Sequence, residues 1–187
     1  MNDVAAAIPA LDALAEKIRE LLARIVDPKV KLDLDTPLMK GHGLDSLDMI
    51  ETSFALEEFF GFEFSGRNAI EELDRRLGDG RILDQGVLTP LGRDALFERM
   101  PELRSVALPP ALHPAEIPLY FTIRTYARVI KDFYDDAPDV DPATGEQVVL
   151  DGFALVSERS RSPVVAPSGD DLLEAWLEAK AGDLANR

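Results

Sequence analysis

"GLDSLDMIETSFALEEFF", residues 43–60, is the stretch on which the fold turns. A glycine-broken loop gives way here to a helical pattern, and one serine, Ser46, stands at the junction between an aspartate and a leucine. Asp45 occupies a capping position and Asp48 lies in the first turn, where carboxylates oppose the helix dipole. The pattern therefore predicts a helix from about Asp45 to Phe60, stopped by Gly61. Its apolar residues form two stripes, Leu47, Ile50 and Phe54 on one side and Met49, Leu56 and Phe60 on the other. A small surface helix needs only one. Either the helix is buried on both sides, or one stripe meets a partner.

Outward from this helix the periodicity stays helical. Upstream, apolar residues fall at helical spacing from Ile8 to Ile25, with Pro28 just past the end, and Asp27 to Leu44 reads as a long loop. Downstream, a short helix spans Asn68 to Leu77 and ends in "GDG". Thr89 as cap and Pro90 as first helical residue start a further helix, limited by Pro101. Arg104 to Pro118 is loop-like. "YFTIRTYARVIKDFY" puts Ile123, Tyr126, Ala127, Ile130 and either Phe133 or Tyr134 on one helical face, and Leu172, Leu173, Trp176 and Leu177 mark a last amphipathic helix. Between these two, a small hairpin is expected near residues 147–156. The expectation is a mainly all-α protein: a helical bundle over 1–101, then a mainly helical C-terminal extension over 102–187.

Composition narrows the function. The 187 residues carry a formal charge of −15, which disfavours nucleic acid and favours basic protein partners reached by electrostatic steering. There is no cysteine, so the chain has no thiolate nucleophile of its own, and any thiol chemistry must come from an attached group. The N-terminal stretch lacks a basic region followed by an apolar run, and no segment is long enough to span a bilayer. A soluble, cytoplasmic protein is expected, not an integral membrane one.

A serine at a helix start invites a hydrolase reading. Such a nucleophile needs a base and an oxyanion site, and its usual elbow reads G-x-S-x-G after a strand. Here the context is "LDSLD" with no strand before it, and only His42 and His113 offer an imidazole. No catalytic residue is expected. "DAPDVDPATGE" suggests calcium, but Gly145 is one place late for an EF-hand and no glutamate completes the loop in step. A turn is expected there, and no metal site.

The segment "GLDSLDMIETSFALEEFF" resembles the part of acyl carrier proteins in which the serine of D-S-L, at the start of the second helix, is esterified with 4'-phosphopantetheine. Asp48, Glu51, Ala55, Leu56, Glu57, Glu58 and Phe60 recur at that family's intervals, and the order of helices matches from about Ala5 to Leu77. The resemblance implies that Ser46, flanked by Asp45 and Leu47, carries a phosphopantetheine arm taken from coenzyme A by a phosphopantetheinyl transferase. It implies that Leu47, Ile50 and Phe54 dock on partner enzymes, with Asp48, Glu51, Glu57 and Glu58 as an acidic fringe that meets basic docking surfaces on acyl-loading, condensing or acyltransferase enzymes. The chain departs from the family at Lys40, His42 and Arg67, and Thr52 and Ser53 make the inner side of the helix polar. A specialised, free-standing carrier for lipid or polyketide synthesis fits better than the primary fatty-acid carrier. An aminoacyl or peptidyl carrier for nonribosomal synthesis would use the same serine, and a carrier-like interaction protein would leave it unmodified behind the extension. The extension's aromatics, Phe121, Tyr126, Phe133, Tyr134 and Trp176, either build its core or wall an enlarged acyl pocket.

Overall fold

The protein is described by a computed structural model covering residues 8–78 and 80–185; the expected start of the resemblance at Ala5 lies outside them. Helix α1 spans Leu11–Leu22 and buries Leu14, Ala15, Ile18, Leu21 and Leu22. It ends a turn earlier than the periodicity implies. Arg24 and Ile25 donate to the carbonyls three residues back, the tightened geometry of a closing helix, before Pro28. The long loop that follows is pinned by Leu38, fully buried, whose N–H donates to the Phe121 carbonyl at 2.8 Å.

Helix α2, Ser46–Phe60, begins on Asp45 and ends at Gly61, whose left-handed φ of 74° a side chain would strain. Helix α3, Ala69–Leu77, starts from Asn68, whose side chain accepts from the N–H groups of Ile70 and Glu71. Strands β1, Leu83–Asp84, and β2, Val87–Leu88, then pair antiparallel around Gln85 and Gly86, both at positive φ. Helix α4, Pro90–Arg99, carries Thr89 as the expected cap, its hydroxyl accepting from Gly92 at 3.0 Å. Two 3-10 turns, Pro101–Ser105 and Pro114–Tyr120, lead into helix α5, Ile123–Asp135, where Phe133 and Tyr134 are both buried. The expected hairpin is present as β3, Val148–Asp151, against β4, Ala154–Ser157, with Val149 opposite Val156. In the turn before it, the Asp141 carboxylate accepts from Ala143 N–H and from the hydroxyls of Thr144 and Ser157. Helix α6, Gly169–Ala185, closes the fold.

These elements bury two apolar cores. The first joins α1, the inner side of α2 and the β3–β4 hairpin to α5, with Phe62 stacked on Phe133 at 4.6 Å between centroids. The second joins α3, α4 and the 3-10 turns to Leu173, Leu177 and Leu184 of α6. Both cores take residues from either side of position 101, so packing does not divide the chain there. The reason is local: α1 presents a wide apolar face, and α5 is the element laid along it. Burying Leu14, Ile18, Leu21 and Leu22 contributes on the order of 6–12 kcal/mol in transfer terms.

Candidate functional site

Ser46 is exposed, and its neighbours explain why it stays so. Leu44, 6% exposed, plugs the first core just before it. Asp45 then adopts extended backbone, and its carboxylate accepts from Leu47 and Asp48 at 2.8 and 3.0 Å. Asp48 reaches back to the Asp45 N–H at 2.8 Å, completing a capping box. Ser46 is the first residue inside the box. Its hydroxyl stands at the positive end of a four-turn helix with no side chain packed over it. His42, the nearest imidazole in sequence, is turned elsewhere: Asp33 N–H donates to its Nε2 at 3.3 Å.

The two stripes of α2 resolve. Leu56 and Phe60 are buried and Met49 is half-buried, whereas Leu47, Ile50 and Phe54 are 61%, 52% and 66% exposed. The extension covers neither this stripe nor Ser46. Glu51 and Glu58 are exposed beside it, and Asp48 is half-buried in the cap. Glu57 has an internal task, since its carboxylate accepts from Phe64 N–H at 2.9 Å. The polar inner side is real: Thr52 is fully buried with no partner for its hydroxyl, and Ser53 donates to the Met49 carbonyl at 3.1 Å.

Arg67, singled out as a foreign charge, binds inside the molecule. It lies 2.6 Å from both Glu72 and Glu174, and Arg76 joins it on Glu174. Their hydrogen bonds raise the Arg67 guanidinium pKa and hold the Glu72 and Glu174 carboxyls below their usual range. This cluster ties α3 to α6. Beside it Gly169 N–H donates to the Glu63 carbonyl at 2.7 Å, an approach that a Cβ would block, since it would lie 2.2 Å from the Ser65 nitrogen.

Between the two cores lies a mainly apolar cavity of about 440 Å³. Ser53 of α2 borders it, the segment Phe64–Glu71 forms one side, and Leu96, Phe121, Tyr126, Phe133 and Leu173 line much of the rest. Seven residues are almost two helical turns, so Ser46 and Ser53 share one face of α2, about 10 Å apart along its axis. A second, more open hollow of about 480 Å³ lies among α4, α5 and α6, with Trp176 in its wall. The five aromatics thus divide. Phe121, Tyr126 and Phe133 both build core and line the cavity, Tyr134 is packed away with its hydroxyl on the Phe153 carbonyl at 2.6 Å, and Trp176 lines the outer hollow.

Residues 16–74 match the family model described as the phosphopantetheine attachment site. This segment is similar to phosphopantetheine carrier domains. No curated protein and no solved structure matches the chain. Carrier domains of this family bear a covalently attached 4'-phosphopantetheine and are themselves non-catalytic. Ser46, its capping box and the exposed stripe all fall inside the matched segment, and α4, α5, α6 and both hairpins fall outside it. The group fits the residues present, because an exposed hydroxyl at a capped helix N-terminus offers both an attachment oxygen and a favourable field for a phosphodiester. Among the described residues, no helix is long and apolar enough to cross a membrane. The sequence offered an enlarged pocket only as one alternative for the extension's aromatics and did not place it against α2, for its walls come from segments more than a hundred residues apart. The one local signal was the seven-residue interval between Ser46 and Ser53.

Proposed function

We propose that the chain is an acyl carrier whose arm is attached at Ser46 by a phosphopantetheinyl transferase, and that it delivers acyl groups to enzymes of specialised lipid or polyketide synthesis in the cytoplasm. The observation that carries this is the exposed Ser46 hydroxyl inside the Asp45–Asp48 capping box, on the segment that matches the carrier family. When bound, the arm supplies the thiol that this cysteine-free chain lacks and holds the acyl group as a thioester. The residues of the chain do the rest. Asp45 and Asp48 order the first turn, so the serine is presented in one orientation. The positive end of the helix dipole at that turn favours the incoming phosphate. Leu47, Ile50 and Phe54 form an apolar patch that an enzyme can cover, and Glu51, Glu58 and the partly engaged Glu57 steer basic surfaces towards it.

An acyl cargo, in preference to an aminoacyl or peptidyl one, is supported by the apolar cavity bordered by Ser53 on the face of α2 that bears Ser46. The test is intact-mass analysis after incubation with coenzyme A and a broad-specificity transferase. The protein should gain one phosphopantetheine and Ser46→Ala none. Mass spectrometry of the protein from its native host would then separate acyl from aminoacyl cargo. No gain by the unaltered protein would leave a carrier-like interaction module instead.

A further inference from the structure

The cavity beside α2 and the outer hollow share only two lining residues, Arg99 and Leu172. Arg99 is the last residue of α4, and its side chain is 18% exposed. Two weak contacts hold it. The Asp132 carboxylate stands 3.5 Å from its guanidinium, and the Trp176 ring lies 5.7 Å below. Beyond it the outer hollow has an apolar wall, made by Pro101 and by Leu172, Ala175 and Trp176 on one side of α6, which faces a charged wall of Glu98 from α4, Arg128, Asp132 and Asp135 from α5, and Asp136 just past it. All these residues lie outside the matched segment.

We propose that Arg99 is the end-stop of the cavity and fixes the longest linear acyl group the chain can hold; this rests on the acyl-carrier reading. A flexible arginine stem can lie along apolar surface while its head group keeps to water or a carboxylate. A guanidinium across the end of an apolar space therefore closes it to a methyl-ended chain, which would have to displace a charged group from Asp132 and Trp176. With the stem removed, the two hollows become one, and a chain can continue along Leu172 and Ala175 to Trp176.

Trp176 is the only tryptophan, so it reports its own neighbourhood. The experiment loads the arm-bearing protein with ω-bromo acyl groups of increasing length and reads bromine quenching of Trp176 fluorescence together with the melting temperature. In the unaltered chain, stabilisation should level off along the series and quenching should stay absent. In Arg99→Ala, quenching should appear at the long end and stabilisation should keep rising past the old limit. Asp132→Asn keeps Arg99 at full length but removes its ion pair, should show partial quenching, and carries the test should Arg99→Ala fail to fold. Length profiles for both variants that match the unaltered chain would overturn the proposal. The same series given as free ω-bromo fatty acids to the unmodified protein separates the two readings. Mass gain at Ser46 with unchanged profiles removes the end-stop alone, and quenching that depends on Arg99 without mass gain removes the carrier reading alone.

Discussion

Asp45 and Asp48 each accept a hydrogen bond from the other's backbone N–H, and Ser46 sits between them. Ser46, the proposed attachment residue, is thus held by its neighbours, with no hydrogen bond from its own hydroxyl to them. Asp45→Ala should cost about 1 kcal/mol of stability, as loss of a helix cap does. It should also slow arming, because the first turn frays. Ser46→Ala should leave stability nearly unchanged, since alanine suits an exposed helical position. Urea denaturation together with the rate of mass gain checks both.

The proposed docking role of the exposed stripe separates binding from folding. Ile50→Asp and Phe54→Asp should change stability by no more than about 0.5 kcal/mol, as surface substitutions do, yet sharply reduce loading by a partner enzyme. Glu58→Lys should mainly slow association and flatten its salt dependence. Glu57→Lys should do this and also cost about 1 kcal/mol, because Phe64 N–H loses its acceptor. Loading rates at two ionic strengths, set beside melting curves, distinguish the two glutamates.

A chain ending at Pro101 should not fold. It retains α1 to α4 but lacks α5, leaving Leu14, Ile18 and Leu22 of α1 without their cover. A broad, non-cooperative thermal transition and poor arming are expected. Cooperative unfolding of that fragment would mean that α1 to α4 complete a core of their own.

Much of this organisation was legible, and the illegible parts share a cause. Helix α2 could be read because its cap, its dipole-facing acids and its glycine stop lie within a few residues of one another. The same holds for Thr89 with Pro90 and for the β3–β4 hairpin, whereas Asn68, expected as the first residue of the short third helix, is its cap. An amphipathic stripe says that a face is covered without naming the cover, so neither the match of α1 with α5 nor that of α3 with α6 could be read. Strands β1 and β2, two residues each, are too short for alternation to show. Arg67 looked like a misplaced surface charge because its partner Glu174 lies 107 residues away.

Glu102 gives a pH test. Its side chain is 8% exposed, neither carboxylate oxygen has a hydrogen-bond partner, and Arg128 Nε stands 3.8 Å away. Burial raises its pKa above the usual carboxylate range. A raised value means that folding favours the protonated form. The contribution is full below the unfolded pKa, near 4.3, and is lost as pH rises through the folded value. Glu102→Gln removes the charge and keeps the shape, so it should add about 1 kcal/mol at pH near 8 and nothing near pH 4. The difference between variant and unaltered chain, measured by denaturant titration at both pH values, isolates this group from the Arg67 cluster, whose stabilisation runs the other way and is lost as pH falls.

The pairing of α1 with α5 also orders events at the ribosome. About a hundred residues separate Leu22 from Ile123, so at synthesis rates of about 5–20 residues per second the apolar face of α1 waits roughly 5–20 s for its partner. Through that interval the nascent chain offers a bare hydrophobic helix to chaperones, and the helix bearing Ser46 has no finished core beneath it. A transferase of the kind proposed, recognising the folded surface, would find nothing to bind until α5 has emerged, so arming would come late in the life of each molecule.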